Sequence, residues 1–375
     1  MVRGNIQYIT NTYNLISKNI NNRYRGNKMI SELKKYFPMI RNREEVLEEI
    51  NNSVLLSDQY NNWSTDRQQE FLDICTGVRG IKILYDSFFK EIMNPEYAPE
   101  RMNDMLSIFL NKKVKIKEVL PVDSTRLGDE RNLIMMDIVV ELEDGSIADV
   151  EVQKIGYAFP GQRMACYSAD MLLRQYKRLR DSKKKKFSYK DIGKVYTIIF
   201  FEKSPAEIAE YSDVYIHRGK QAFDTGLELN LLQEYVLVSL DIFKEIKQNE
   251  SINNKLEAWL TFLGTDSPEL IVKLISSNPE FVPLYNDMYE LCLNTEKVMG
   301  MFSKELAELD RNTVDYMVDQ MQQEIDEQKD VIDEQKDIIS EKDRALDEKD
   351  KALDEKDNII DELRNRILEL ENGNR

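Results

Sequence analysis

From Leu133 to Lys154 the chain reads LIMMDIVVELEDGSIADVEVQK, two alternating apolar and polar stretches on either side of Glu143-Asp144-Gly145. Gly145 can take the left-handed backbone that a three-residue hairpin loop with a bulge requires, and such a loop pairs Leu142 with Ser146. Facing residue numbers then sum to 288 along the ladder, so Asp137 faces Glu151 and Met135 faces Gln153. Strand side chains alternate, which puts Asp149, Glu151 and Gln153 on one face and Val150, Val152 and Lys154 on the other. Two carboxylates set opposite each other repel unless a positive charge lies between them. A divalent cation supplies that charge, and Mg²⁺ is a hard ion suited to one or two carboxylates plus waters and phosphate oxygens. On spacing alone, an acid on an antiparallel hairpin usually just lies on the wet sheet face. The pairing hangs on the turn, because a two-residue loop would shift the register by one and separate them.

The rest of the chain builds around this hairpin. Residues 1 to about 76 read as polar helices rich in Asn and Tyr, with a helix-start signal at Thr65 followed by Gln68. Ile81, Leu84, Tyr85, Phe88 and Ile92 fall on one face of a helix predicted over Ile81 to Ile92, and Met102 to Leu110 is a second amphipathic helix. Strands are predicted at Val114 to Val122, Leu133 to Leu142, Ile147 to Lys154, Val195 to Phe201 and Tyr235 to Leu240, with a helix from about Gln162 to Arg180 between the third and fourth. Helices follow from about Asn253, where Leu256, Trp259, Leu260 and Leu263 repeat at core spacing.

In the tail, Ile325, Ile332, Ile339, Leu346, Leu353, Ile360 and Ile367 recur every seven residues, the period of a coiled coil. With those as a positions, the d positions include Gln335, Lys342, Lys349 and Lys356 before Leu363 and Leu370, so the middle of the seam is polar. The pattern suits a self-associated rod, or a single solvated helix held by opposite charges at helical spacing.

Charge is uneven. The formal total is −16, of which −9 falls in Glu324 to Arg375, whereas Arg174 to Lys194 carries ten basic residues against Asp181 and Asp191. That stretch reads either as a patch that attracts phosphates or as a solvated charged loop. Cys75, Cys166 and Cys292 are far apart and without C-x-x-C spacing, so neither a disulfide framework nor a zinc site is indicated. His217, the sole histidine, excludes a histidine-based cluster or triad within one chain. No apolar run approaches the roughly 20 residues that span a bilayer, and MVRGNIQYIT lacks the apolar core of a secretory signal, so a cytoplasmic protein with no membrane partner is expected.

Asp137, then Glu151-Val152-Gln153 on the next strand, between an upstream and a downstream helix, resembles the PD-(D/E)XK nuclease superfamily, in its transposase and recombination-promoting nuclease branch. There the lysine of the last motif position is commonly Gln, as Gln153 is here. LYDSFFKEIMNPE, with Asp86, Phe89 and Lys90, is similar to the opening helix motif, and FPGQRMACYSADMLLRQYKR to the helix after the core strand; the likeness covers about residues 77 to 245.

The resemblance implies a restriction-endonuclease-like α/β (α+β) fold, a mixed sheet flanked by helices. The expected parts are a helical N-terminal extension (1–76), the nuclease-like core (77–245), a helical C-terminal region (246–315) and a charged heptad-repeat helix (316–375). It further implies Mg²⁺-dependent cleavage of DNA phosphodiesters, with Asp137, Glu151 and the main-chain carbonyl of Val152 holding the metal and Gln153 orienting water or phosphate. A neutral amide is neither a positive charge nor a general base, so Lys90 or Arg163 is expected to supply the missing charge and Asp86 is a further acid. Arg163 and Tyr167 would reach the phosphate, and Arg174 and Arg178 the flanking backbone. The rival expectation is a nuclease-derived DNA-binding or assembly protein without turnover that acts through its tail, which could also join copies of the chain over 324–370.

Overall fold

A computed structural model describes residues 33–121, 137–154, 160–247 and 250–373. The chain divides into two compact units, Met1–Val314 and Asp315–Arg375.

In the first unit, helices α1 (Arg43–Asn51), α2 (Val54–Asn61) and α3 (Thr65–Cys75) precede α4 (Asp86–Ile92) and α5 (Pro99–Phe109). Strands β1 (Ile116–Leu120), β2 (Ile138–Leu142) and β3 (Ile147–Gln153) follow. Then come α6 (Pro160–Lys183), β4 (Val195–Phe201), the single turn α7 (Ala206–Ala209), β5 (Ile216–Lys220), β6 (Gln233–Ser239) and α8 (Leu240–Ile246). Helices α9 (Lys255–Gly264), α10 (Pro268–Ser277), α11 (Val282–Leu291) and α12 (Thr295–Gly373) complete the described chain. The six strands form one mixed sheet in the order β1-β2-β3-β4-β6-β5, parallel where β4 meets β3 and β6 and antiparallel elsewhere.

The hairpin forms in the expected register: Ile138 pairs with Val150, Val139 with Asp149, Val140 with Ala148 and Glu141 with Ile147. Gly145 has φ +80°, and the Leu142 N–H donates to the Ser146 carbonyl at 2.8 Å. Met135 lies outside the described residues.

Alternation gives the sheet two different faces. Ile138, Val140, Ala148, Val150, Ile198, Phe200, Val236 and Val238 join the main core, which also takes in Phe37, Phe71 of α3 and residues of the C-terminal helices (Phe262, Tyr285, Phe302). On the opposite face α6 packs on two smaller apolar patches. Met171 meets Val139, Ile147 and Val195 in one, and Met164 packs on Ile199 and Phe201 in the other. Asp149, Glu151, Gln153 and Thr197 share that face and are buried. A parallel strand covered on both faces normally reads as continuously apolar, so carboxylates at two such positions break the pattern.

The turn is also pinned from β4. The Gln175 side chain accepts the Gly193 N–H at 2.5 Å, and a Cβ at Gly193 would stand 2.3 Å from the Gly145 carbonyl oxygen. Backbone cannot retreat as a flexible side chain can, so Gly193→Ala is expected to cost about 1–3 kcal/mol. A lowered urea midpoint checks this; an unchanged midpoint would show that the turn yields.

The structure corrects several sequence expectations. The helix predicted from Ile81 starts only at Asp86, although Ile81, Leu84, Tyr85, Phe88 and Ile92 are all buried as anticipated. The cause is tertiary: Gly80 N–H is held by the Asp266 carbonyl at 2.7 Å, and the Asp86 N–H is capped by Glu305 Oε2 at 2.9 Å. Ser64, not Thr65, caps α3. Strand β5 was not anticipated because IHRGK carries no apolar alternation; it is an edge strand fixed by pairing with β6. His217 lies on it, with its ring 5.6 Å from that of Tyr211.

In the second unit α12 continues as helix through the heptad repeat, with Ile325, Ile332, Ile339, Leu346, Leu353, Ile360 and Ile367 all exposed. Among the described residues no helix is long and apolar enough to cross a membrane.

Candidate active site

Asp137 stands one residue before the last β2–β3 ladder pair. Its Oδ2 accepts the Val152 N–H at 2.7 Å, and its own N–H donates to Glu151 Oε1 at 3.2 Å. The hairpin thus ties both acids to one point through backbone groups. Helix α4 closes the site from the other side: Phe88 and Phe89 are fully buried, each such ring contributing about 1.5–3 kcal/mol, and this anchor presents Asp86 and Lys90, one turn apart. The Lys90 ammonium lies 2.7 Å from Asp86 Oδ1 and 3.2 Å from Asp137 Oδ1.

Electrostatically the site is a cluster of carboxyls with one ammonium. Burial and the neighbouring Asp86 charge push Asp137 up to about 7 against the pull of Lys90. Burial likewise pushes Glu151 well above the usual carboxylate range, helped by Asp149 and Asp137. Asp149, fully buried, is raised by burial to about 7 although its hydrogen bond with Glu151 and the Arg174 charge oppose this. Asp86 moves the other way: burial would raise it, but hydrogen bonds from Asp137 and Lys90 outweigh that and hold it low. Burial would depress Lys90, yet the Asp137 and Asp86 carboxylates keep its pKa above the ordinary value.

The sequence-predicted residues separate into two groups. Asp86, Lys90, Asp137, Glu151 and the Val152 N–H come together, and Gln153 follows on the same face as Glu151, its carbonyl accepting the Glu202 N–H at 2.8 Å. Tyr167 packs against the patch of Val139, Ile147, Met171 and Val195, and Arg163 is half-buried near the start of α6. Arg174 and Arg178 are engaged within the chain. Arg174 pairs with Asp170 at 2.7 Å and donates to the Pro121 carbonyl at 2.9 Å, whereas Arg178 pairs with Glu118 at 3.0 Å and also with Glu141. They brace α6 against the sheet.

Two features were not assigned from sequence. Asp149 has no role in the sequence reading beyond its place on the acidic face, yet it is fully buried with the Glu151 carboxyl as a hydrogen-bond partner. Glu305, buried on α12, pairs with Lys154 while capping Asp86. Lys154 also lies over the Tyr85 ring at 5.3 Å. Nothing in the α12 sequence marks Glu305, since its partners come from distant parts of the chain.

The donor set fits a hard divalent cation. Among the described residues no group of three or more His, Cys, Asp or Glu side chains forms a metal cluster, but Mg²⁺ commonly takes only one or two protein carboxylates and completes its shell with water and substrate oxygens. Buried carboxyls held protonated near neutrality, with an all-oxygen donor set, are what such an ion would relieve.

A family described as PD-(D/E)XK nuclease family transposase matches residues 83–317, more than half of the chain and spanning α4, the whole sheet and the start of α12. The chain belongs to this family. No curated protein and no solved structure matches it. As a PD-(D/E)XK nuclease family transposase it is of the nuclease-type hydrolase class, whose substrate is DNA and whose members generally use divalent metal ions.

The raised carboxyls set a pH dependence. Unfolded carboxyls titrate near 4, so Asp137 and Asp149 bind more protons folded than unfolded between about pH 4 and about 7. Their contribution to stability is present below the unfolded pKa and is lost as pH rises through the folded one. The metal-free protein is therefore expected to melt at a lower temperature at pH 8 than at pH 5.5, and Mg²⁺ to narrow the gap. Calorimetry with and without EDTA measures it; a gap of the same size with and without metal would argue against ion binding at these acids.

Proposed function

We propose that this family member is a cytoplasmic, Mg²⁺-dependent endonuclease that hydrolyses DNA phosphodiester bonds in recombination or transposition. The observation that carries the reading is the convergence of Asp137 and Glu151 at the open end of the β2–β3 ladder, both pushed far above the usual carboxylate range with Lys90 the one lysine paired with Asp137 among the described residues. Asp137, Glu151 and the Val152 carbonyl are the residues proposed to hold the ion. When bound, such an ion lowers the pKa of a coordinated water and stabilises charge growing on phosphate and leaving oxygens.

The chain's own groups have separate jobs in this proposal. The Val152 N–H and the Asp137 N–H fix the two carboxylates so that no reorganisation is needed on binding. Gln153 orients a water or a phosphate oxygen through its amide, which can donate and accept but carries no charge. Lys90 supplies the positive charge that a lysine at position 153 would otherwise bring; it can turn from Asp137 to the scissile phosphate while Asp86 keeps it positioned. Arg163 and Tyr167 are proposed to meet the phosphate at the start of α6. Incubating the purified protein with supercoiled plasmid tests the reading: nicked product with Mg²⁺ and none with EDTA is expected, and intact plasmid under every divalent ion tried would sink it in favour of a binding protein without turnover.

Self-association through the tail is a second part of the proposal. It is supported by the exposed seven-residue stripe, joined by exposed Val331, Ile338 and Ile359 just before three of its members, since apolar side chains at a strict seven-residue period bury themselves by pairing helices. The full chain should elute as a dimer or higher assembly, and a chain ending at residue 323 as a monomer; equal monomeric masses by light scattering would refute it.

A further inference from the structure

The far end of α6 carries a group of side chains that the proposed active site does not use. Helix α6 ends in two short 3-10 turns, Lys184–Lys186 and Tyr189–Asp191, which fold the chain back on the helix. Tyr176, Phe187 and Tyr189 form an aromatic cluster there: the Tyr176 and Tyr189 rings are stacked with centroids 6.1 Å apart and planes 11° apart, and Phe187 sets its edge against both. Arg180 lies over the Tyr176 ring at 5.7 Å and donates to its hydroxyl at 2.6 Å.

Tyr189 nonetheless remains 74% exposed. Lys184, Lys185, Lys186 and Lys190 are exposed too, and no ion pair engages any of them among the described residues; Lys183 alone is neutralised, by Asp191 at 2.7 Å. Lys184 has φ +48°, a left-handed conformation at a helix end where glycine is the usual residue. A strained lysine there is not explained by packing, since its side chain is exposed.

We propose that this knob is an auxiliary binding site for a single strand of nucleic acid, with an unpaired base stacked on the outer face of Tyr189 and successive phosphates on Lys184, Lys185 and Lys186. An exposed aromatic ring beside a row of cations is the combination that holds single strands without regard to sequence. The ring is what favours nucleic acid over an anionic lipid surface, which needs only the lysines. The choice of DNA rests on the nuclease reading, and the site is distinct from the acids. From Arg163 to Lys184 the helix rises about 30 Å, so a strand held at the knob would reach the acids only across roughly nine stacked nucleotides at 3.4 Å each.

Binding of a labelled oligothymidylate of about 16 nucleotides, followed by anisotropy in EDTA so that no cleavage is involved, tests this. Tyr189→Ala is expected to weaken binding roughly five- to a hundredfold and Tyr189→Phe to restore most of it. Lys185→Ala combined with Lys186→Ala should reduce the slope of log affinity against log salt by about 1.4. Lys184→Gly, which relieves the left-handed strain, should weaken binding while the melting temperature holds or rises. Wild-type binding with affinity and salt slope unchanged in all of these variants would overturn the knob and leave the nuclease reading intact. Failure of the wild type to bind the strand would overturn it as well, with plasmid nicking then judging the nuclease reading separately. Capture by phosphatidylserine vesicles without oligonucleotide binding would assign the patch to a membrane surface instead.

Discussion

Asp137→Ala is expected to lower Mg²⁺-dependent nicking of supercoiled plasmid by roughly a thousandfold or more, since it removes a charge that stabilises the transition state and, with it, half of the carboxylate pair proposed to hold the ion. The fold should survive. Without metal, Asp137 is a buried acid raised to about 7, so its loss removes repulsion from Glu151 and Asp86 while Lys90 keeps Asp86 as its partner. The contacts it gives up are the Val152 N–H, the hydrogen bond with Asp86 and the longer contact to Lys90, each hydrogen bond worth about 0.5–1.5 kcal/mol. The metal-free melting temperature should therefore stay within a few degrees, whereas the rise on adding Mg²⁺ should vanish. Equal nicking by variant and wild type would remove Asp137 from the reaction; lost nicking with an undiminished Mg²⁺ stabilisation would place the ion elsewhere.

Glu305→Ala is expected to cost about 3–5 kcal/mol of stability, because it removes one member of a buried ion pair with Lys154 and the cap on the Asp86 N–H together. Lys154 and Glu305 side chains are 9% and 2% exposed, so water cannot compensate. At about 2–4 °C per kcal/mol for a domain of 150–250 residues, the melting point should drop by roughly 10 °C. The paired change Lys154→Met with Glu305→Leu should regain most of it, since apolar residues of similar volume often replace a buried ion pair at little cost. Glu305 also caps the Asp86 N–H, so the doubly substituted protein should fold yet hold α4, and with it Lys90, less firmly, visible as a raised KM for DNA. No recovery in the double variant would mean that Glu305 stabilises mainly through the cap.

What could be read in the sequence was whatever obeys local periodicity. The hairpin register followed from one glycine and one loop length, and it set the frame in which Asp137 meets Glu151. The boundaries of β4 and the seven-residue repeat followed from apolar spacing in the same way. What escaped depends on partners distant in the chain. The start of α4 is decided by Asp266 and Glu305, not by the apolar face that begins at Ile81. Arg174 and Arg178 have the spacing of a phosphate-binding stripe, but Asp170, Glu118 and Glu141 engage them, and only the sheet topology brings Glu118 and Glu141 within reach. Asp149 was legible as a position and not as an environment, since its burial is created by α6.

Because alternation along β3 decides which side chains meet α6, the active site is more vulnerable to insertions than to many substitutions. One extra codon between Ile147 and Glu151 would turn Val150 toward the acids' place and send the carboxyls into the main core, and one residue more or fewer in the Glu143–Gly145 bend would slip the pairing that sets Asp137 opposite Glu151. Lineages that keep the acid pair should therefore hold a constant length both along the strand and through that bend.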